Sequence, residues 1–147
     1  MRDVRLAALA ESPEMFGSTS AREQAFDEAE WRRRAARPAT FLASRDGVDV
    51  GIAGVYEFDR EWCLAGMWID PRARGTGAVE ALINACESMV QAAGATTVAL
   101  GVMEDNARGR RAYLRLGYHF TGASEHVRDG RYELFMTKTL AASPPAR

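Results

Sequence analysis

The stretch that most limits what this chain can fold into runs from Met67 to Leu82, Met-Trp-Ile-Asp-Pro-Arg-Ala-Arg-Gly-Thr-Gly-Ala-Val-Glu-Ala-Leu. Leu64 to Ile69 is an apolar run that reads as the end of a buried strand. Asp70-Pro71 stops it, because proline cannot donate to a strand ladder. Arg74-Gly75-Thr76-Gly77 is a short glycine-rich turn, and Ala78, Val79, Ala81, Leu82, Ile83 and Ala85 then recur at helical spacing. The order strand, glycine turn, helix aims unsatisfied backbone N–H groups and the positive end of a helix dipole at one point. That is an anion site. The glycines let backbone approach a phosphate closely, and Arg74 adds positive charge. Two phosphate-binding patterns are absent: there is no Gly-Lys-Ser/Thr, and no G-x-G-x-x-G followed by an acid about twenty residues on. A tight turn whose glycines serve packing alone is the plain alternative, and the sequence downstream decides between the two.

With 147 residues, 47% of them hydrophobic, the chain can build one core, so a single domain over residues 1–140 is expected. Lys and Arg number 19 against 20 Asp and Glu, a net charge of −1, which gives no reason to expect nucleic acid or an anionic membrane as a partner. No apolar run is long enough to cross a bilayer and the N-terminus has no signal-peptide pattern, so a cytoplasmic protein is expected. Cys63 and Cys86 stand in apolar settings without a C-x-x-C, and there are two histidines, so free thiols and no metal site are expected.

Val4, Leu6, Ala7, Leu9 and Ala10 predict a first helix ending near Ser12-Pro13, followed by a loop to Thr19. Ser20 with Glu23 reads as a capping box that opens a second helix running to about Ala36. Its Arg32-Arg33-Arg34 run reads as a solvated face. Strands are predicted at Thr40–Ser44, Val48–Phe58 and Trp62–Ile69, joined by turns at Asp46-Gly47 and Asp59-Arg60 into an antiparallel meander. The glycine-rich helix spans Thr76 to about Ala93 with Gly94 as its C-cap. A strand at Thr96–Val102, a helix from Asn106 to Leu116, and strands at Tyr118–Thr121 and Tyr132–Thr139 complete the chain, with a disordered tail from Ala141 to Arg147. The fold class is therefore α+β: a mixed, mostly antiparallel sheet flanked by helices.

The turn at residues 74–79 resembles the acetyl-CoA-binding motif of the GNAT family (GCN5-related N-acetyltransferases), R/Q-x-x-G-x-G/A after a strand that ends in hydrophobic-x-Pro. Arg74 and Gly77 match, and Val79 stands where the family has Gly or Ala. A second stretch, Asn106-Ala-Arg-Gly-Arg-Arg-Ala-Tyr113-Leu-Arg-Leu-Gly117-Tyr118, is similar to the family's N-x-x-A-x-x-L/F-Y followed by G-F. Here Gly109 replaces the usual Ala, and Ala112 the larger apolar residue. Taken alone, Asn106 reads as an N-cap and Tyr113 as a core aromatic; the two motifs in order favour the functional reading. The family usually opens with a strand before its first helix, and this sequence begins at that helix. A sheet without that strand would have an edge that a second copy of the chain could cover, giving a homodimer.

The resemblance implies direct acyl transfer from acetyl-CoA, a co-substrate, to an amine, with no metal. The pyrophosphate would rest on backbone N–H groups of Gly75, Thr76, Gly77, Ala78 and Val79 beside Arg74. Met67, Trp68 and Ile69 would hold the pantetheine arm and the acetyl carbonyl, and Asn106 the pantetheine region. Tyr113 would protonate the departing thiolate. Glu61 is the candidate base that takes a proton from the amine, with Glu57 and Glu104 as rivals and a water chain as the alternative. Phe16, Trp31 and Tyr56 are candidates for the acceptor wall. His119 and His126 read as surface residues. The implied activity is N-acetylation of a small-molecule amine, a protein N-terminus or a lysine. The alternative, from another class, is a non-catalytic acyl-CoA-binding or sensing module, which would have no use for Tyr113. An unrelated nucleotide-binding enzyme would bind ATP or NAD in place of CoA.

Overall fold

The computed structural model describes residues 1–36 and 39–142. The chain opens with α1 (Arg2–Glu11), a 3₁₀ turn (Pro13–Met15), α2 (Ser20–Gln24) and α3 (Glu28–Ala35). A six-stranded sheet follows, built from β1 (Ala39–Arg45), β2 (Val48–Phe58), β3 (Glu61–Ile69), β4 (Thr97–Met103), β5 (His119–Arg128) and β6 (Arg131–Thr139). Helix α4 (Ala78–Ala92) joins β3 to β4, and α5 (Ala107–Arg115) joins β4 to β5. The spatial order is β1-β2-β3-β4-β6-β5, with β3–β4 the parallel pair and every other pair antiparallel. This is the expected mixed, mostly antiparallel sheet flanked by helices.

Three hairpins turn on two residues with positive φ, Asp46-Gly47, Asp59-Arg60 and Asp129-Gly130. That geometry matches the strand twist. On one face of the sheet α4 buries Leu82, Ile83, Cys86 and Val90 against Val55, Leu64, Val98, Leu100 and Met136. Each such aliphatic side chain contributes about 1.5–3 kcal/mol. On the other face α1 packs Val4, Ala8 and Leu9 with Phe16, Ile52 and Trp68.

Three local expectations are corrected. The predicted second helix is two helices. Asp27 caps α3, its carboxylate accepting from the Glu30 N–H at 2.8 Å, and the chain turns between Gln24 and Asp27. Glu23 makes no capping box: Thr19, not Ser20, is the N-cap of α2, and Glu23 is fully buried. There it receives Arg5 Nε at 2.9 Å and Nη2 at 2.7 Å, which ties α2 to α1. Strand β5 also runs well past Thr121. Backbone pairing with β6 recruits it, while its side chains stay largely exposed, so it shows no alternating pattern. The predicted tail lies outside the described residues from position 143 on.

Candidate active site

The site is built where β3 and β4 part. They pair only at Cys63↔Ala99 and Leu64↔Leu100. Beyond that point β3 carries a bulge: Gly66 and Met67 stand opposite the single residue Ala53 of β2. Gly66 has φ +66, which a residue with a side chain rarely adopts. A bulge leaves backbone out of the ladder and re-aims the strand. The β4-facing backbone groups of residues 65–69 therefore lie along an opening in the sheet rather than in a ladder.

Two cavities meet at this opening. The first, of about 260 Å³, is lined by Met67, Trp68, Ile69, Arg74, Gly75 and Val79 on one side and by Asn106, Gly109, Ala112 and Tyr113 on the other. The second, of about 510 Å³, lies between β3, β4 and the β5–β6 hairpin and includes Tyr56, Glu61, Cys63, Gly101, Glu125, Glu133 and Phe135. Met15, Phe16, Met67, Asn106 and Tyr113 line both. The two cavities thus share one wall.

At the glycine turn, Gly75 and Gly77 have φ +74 and +85, and a Cβ at either would meet no atom within 4 Å. Gly75 lines the groove, and the turn leads into the N-terminus of α4, where Gly77 is the N-cap and supplies no side-chain acceptor. The first-turn N–H groups of α4 therefore remain available to an outside anion. Arg74 is fixed rather than free: its Nε donates to the Ile69 carbonyl at 3.1 Å and Nη2 to Glu11 Oε2 at 2.9 Å. Glu11 also accepts from the Trp68 indole at 3.0 Å and from the Ser12 hydroxyl. The Ser12 and Trp68 hydrogen bonds, aided by Arg74, hold its carboxyl below the ordinary range. Because Glu11 offsets the charge of Arg74, the backbone is left as the main anion holder. Arg74→Ala is expected to weaken binding of the CoA that the resemblance implies by only about three- to tenfold, the net worth of roughly one ordinary hydrogen bond, as read by calorimetric titration.

Asn106 caps α5, its side-chain oxygen accepting from the Gly109 N–H at 2.9 Å. Gly109 leaves the Asn106 side chain its room in this conformation. A Cβ there would come within 2.6 Å of the Asn106 side chain. Tyr113 is buried, packs edge-on to Tyr118 with ring centroids 5.9 Å apart, and has its phenol pushed up by burial and then by nearby Cys86, so it stays protonated at neutral pH. Cys86 itself is buried and pushed up to about 12, an inert thiol. Cys63 is only half-buried and borders the second cavity.

Of the residues predicted for the cofactor, Met67, Trp68, Ile69, Arg74, Gly75, Val79 and Asn106 line the first cavity, while Thr76, Gly77 and Ala78 form the turn beneath it. Trp68 turns its side chain into the α1 core, so only its backbone can face the opening. Glu61 is exposed and lines the second cavity only. Glu57 and Glu104 line neither cavity, and Glu104 accepts from the Tyr132 N–H at 3.2 Å. Phe16 and Tyr56 do border the second cavity, whereas Trp31 lines a third one, which adjoins the second at Arg5, Tyr56, Ala65 and Gly66. His119 and His126 are exposed on β5, away from both.

Sequence reasoning missed two groups. Arg108, Arg111 and Arg115 line the first cavity beside Arg74. Their spacing of three and four puts them on one helix face, a signal that was readable. Glu125 and Glu133, cross-strand partners on the β5–β6 hairpin, line the second. No motif marks them, because only strand register pairs them and sets Glu133 against Gly101. Among the described residues no group of three or more His, Cys, Asp or Glu could hold a metal ion, and no helix is long and apolar enough to cross a membrane.

The chain is similar to several solved structures. A nourseothricin acetyltransferase shares 25% identity at a TM-score of 0.64, over 69% of this chain and 65% of that one, so the match spans about two-thirds of that protein's length. An aminoglycoside 6'-N-acetyltransferase complexed with coenzyme A shares 19% identity at a TM-score of 0.72, over 97% of this chain and 92% of that one. The structure of yncA from Salmonella typhimurium with its cofactor acetyl-CoA shares 18% identity at a TM-score of 0.74, over 99% and 91%. No curated protein matches in sequence. The model of the acetyltransferase (GNAT) family matches residues 5–118, most of the chain and both motifs, so this protein belongs to the GNAT family.

Proposed function

We propose that the protein is an N-acetyltransferase that moves the acetyl group of acetyl-CoA directly to an amine. The observation that carries this reading is the shared wall: an anion-binding groove and a separate cavity meet at Met67, Asn106 and Tyr113, through a gap in the sheet. A module that only bound or sensed acyl-CoA would need the groove and not the second chamber. Neighbours of the same fold carry coenzyme A or acetyl-CoA, which supports the choice of donor.

The residues fit that donor. Backbone N–H groups of the 75–79 turn would serve as the pyrophosphate cradle, and the α5 arginines that line the groove would add positive charge for the remaining phosphate. Val79 adds bulk to the lining, and Ala112 removes it from the same lining. The two departures from the family pattern thus offset one another in volume. The freed backbone of β3 at Met67 can donate to the carbonyl oxygen as negative charge develops there. Tyr113, kept protonated by burial, can give its proton to the leaving sulfur. The acceptor amine enters from the second cavity.

Gly77→Val tests the cradle. A β-branched residue at φ +85 is strained by about 1–2 kcal/mol, and the turn would rearrange to relieve it. Titration should then detect no CoA binding at concentrations that saturate the native chain. The reading as a whole is tested by thiol release from acetyl-CoA across a panel of amines. CoA binding without any release would favour the sensing module instead.

A further inference from the structure

The second cavity is acidic in a way that the balanced composition hides. Three carboxylates line it, Glu61 from β3, Glu125 from β5 and Glu133 from β6. Its one cationic residue is Arg5 of α1, whose Nε and Nη2 are already committed to Glu23. Aromatic rings of Tyr56 and Phe58 lie in the same lining, and Phe58 is 72% exposed at its rim. Carboxylates beside aromatic faces form a setting for ammonium groups. Glu133 is the inner member of the pair. It reaches across β4 at Gly101, where a Cβ would fall 2.4 Å from its carboxyl carbon, so Gly101 is what leaves room for it. Burial, and then the charge of Glu125 opposite, raise the Glu133 carboxyl above its ordinary value. A carboxyl raised in this way is the more basic of the pair, which suits a proton acceptor.

Resting on the acetyltransferase reading, we propose that the acceptor is a small molecule with at least two protonated amino groups, one held by Glu125 at the rim and the other delivered to Glu133, which acts as the base. The Glu133 carboxylate takes a proton from the reacting ammonium. The freed nitrogen lone pair attacks the thioester carbonyl carbon and the C–S bond breaks. Tyr113 gives its proton to the departing sulfur, and the second proton lost by the nitrogen as the amide forms restores the phenol. Glu133 then returns its proton to solvent. The other titratable side chains that line this cavity are Glu61 and Cys63 from β3, Tyr56 from β2, Arg5 from α1 and Tyr113 from α5; the β4 residues of the lining carry none.

The test compares 1,5-diaminopentane, pentylamine and 5-aminopentanoate as acceptors for the full chain, read as thiol release from acetyl-CoA. The diamine is expected to exceed the monoamine at least about tenfold in kcat/KM, with the aminocarboxylate weakest. Glu125→Gln should reduce that preference several-fold. Glu133→Gln should lower kcat about a hundredfold and remove the acid limb of the pH profile, and Glu133→Asp, which keeps a carboxylate, should retain both the limb and part of the diamine preference. Far-UV circular dichroism checks that each variant is folded. Equal rates for diamine and monoamine, preference for the aminocarboxylate, or an acid limb that survives in Glu133→Gln overturns this inference and leaves the acetyltransferase reading standing. No thiol release with any amine overturns both.

Discussion

Tyr113→Phe is expected to lower the turnover of acetyl transfer by about a hundredfold or more, while CoA affinity changes less than about threefold. The change deletes one oxygen from a ring whose packing against Tyr118 and the α4 core stays intact, so the fold and the groove should be unaffected. What is lost is the one phenol on the wall common to both cavities. Burial keeps that phenol protonated through the neutral range, so native activity should show no limb from its ionisation below about pH 10. Steady-state kinetics combined with CoA titration separate the two effects. Equal turnover in native and variant chains would remove Tyr113 from the mechanism.

The largest stability effect is expected from Arg5→Ala. Glu23 is wholly buried, and its charge is balanced by a two-point contact from Arg5, with Arg34 at 3.5 Å. Burial alone would raise this carboxyl, but the hydrogen bonds and charge of Arg5 outweigh it and hold the group below its ordinary 4.5. Removing Arg5 leaves this buried charge with only the longer Arg34 pair, which costs about 3 kcal/mol and roughly 10 °C in Tm for a chain of this size. The sign with pH follows from the lowered value. The native contribution is present above about pH 4.5, the ordinary carboxyl value, and is lost as pH falls through the lower folded value. In the variant Glu23 has lost its two-point partner, and its buried charge is relieved by protonation. The gap between native and variant should therefore narrow in acid, as read by thermal melts across pH. Arg5 also borders both the second cavity and the bulge at Gly66, so this variant is a poor reagent for acceptor kinetics.

The legibility of the chain follows from where its signals are local. The turn at residues 74–77, the Asn106 cap, the two-residue hairpins and the apolar spacing of α4 are set by short-range chemistry, and they fold as expected. The split between α2 and α3 was also written locally, in Asp27 followed three residues later by Glu30, a cap pattern hidden within a longer helical periodicity. Glu23 misled because a Ser-x-x-Glu spacing fits a capping box equally well, and only the arrival of Arg5 from α1 decides its role. The bulge at Gly66 is invisible in β3, since an isolated glycine in a strand has several uses and the register with β2 selects one. Glu125 and Glu133 lie in a stretch without motif, and long-range strand pairing alone makes them neighbours.

The central claim is that the two cavities meet so that an acetyl group held on one side can pass to an amine on the other. The most direct measurement is mass detection of acetylated product, alongside thiol release, when the full chain is incubated with acetyl-CoA and a pooled set of amines. The expected result is an amine carrying one acetyl group, formed in step with free CoA and lost in Tyr113→Phe. Saturable CoA binding with no acetylated product from any amine would contradict it.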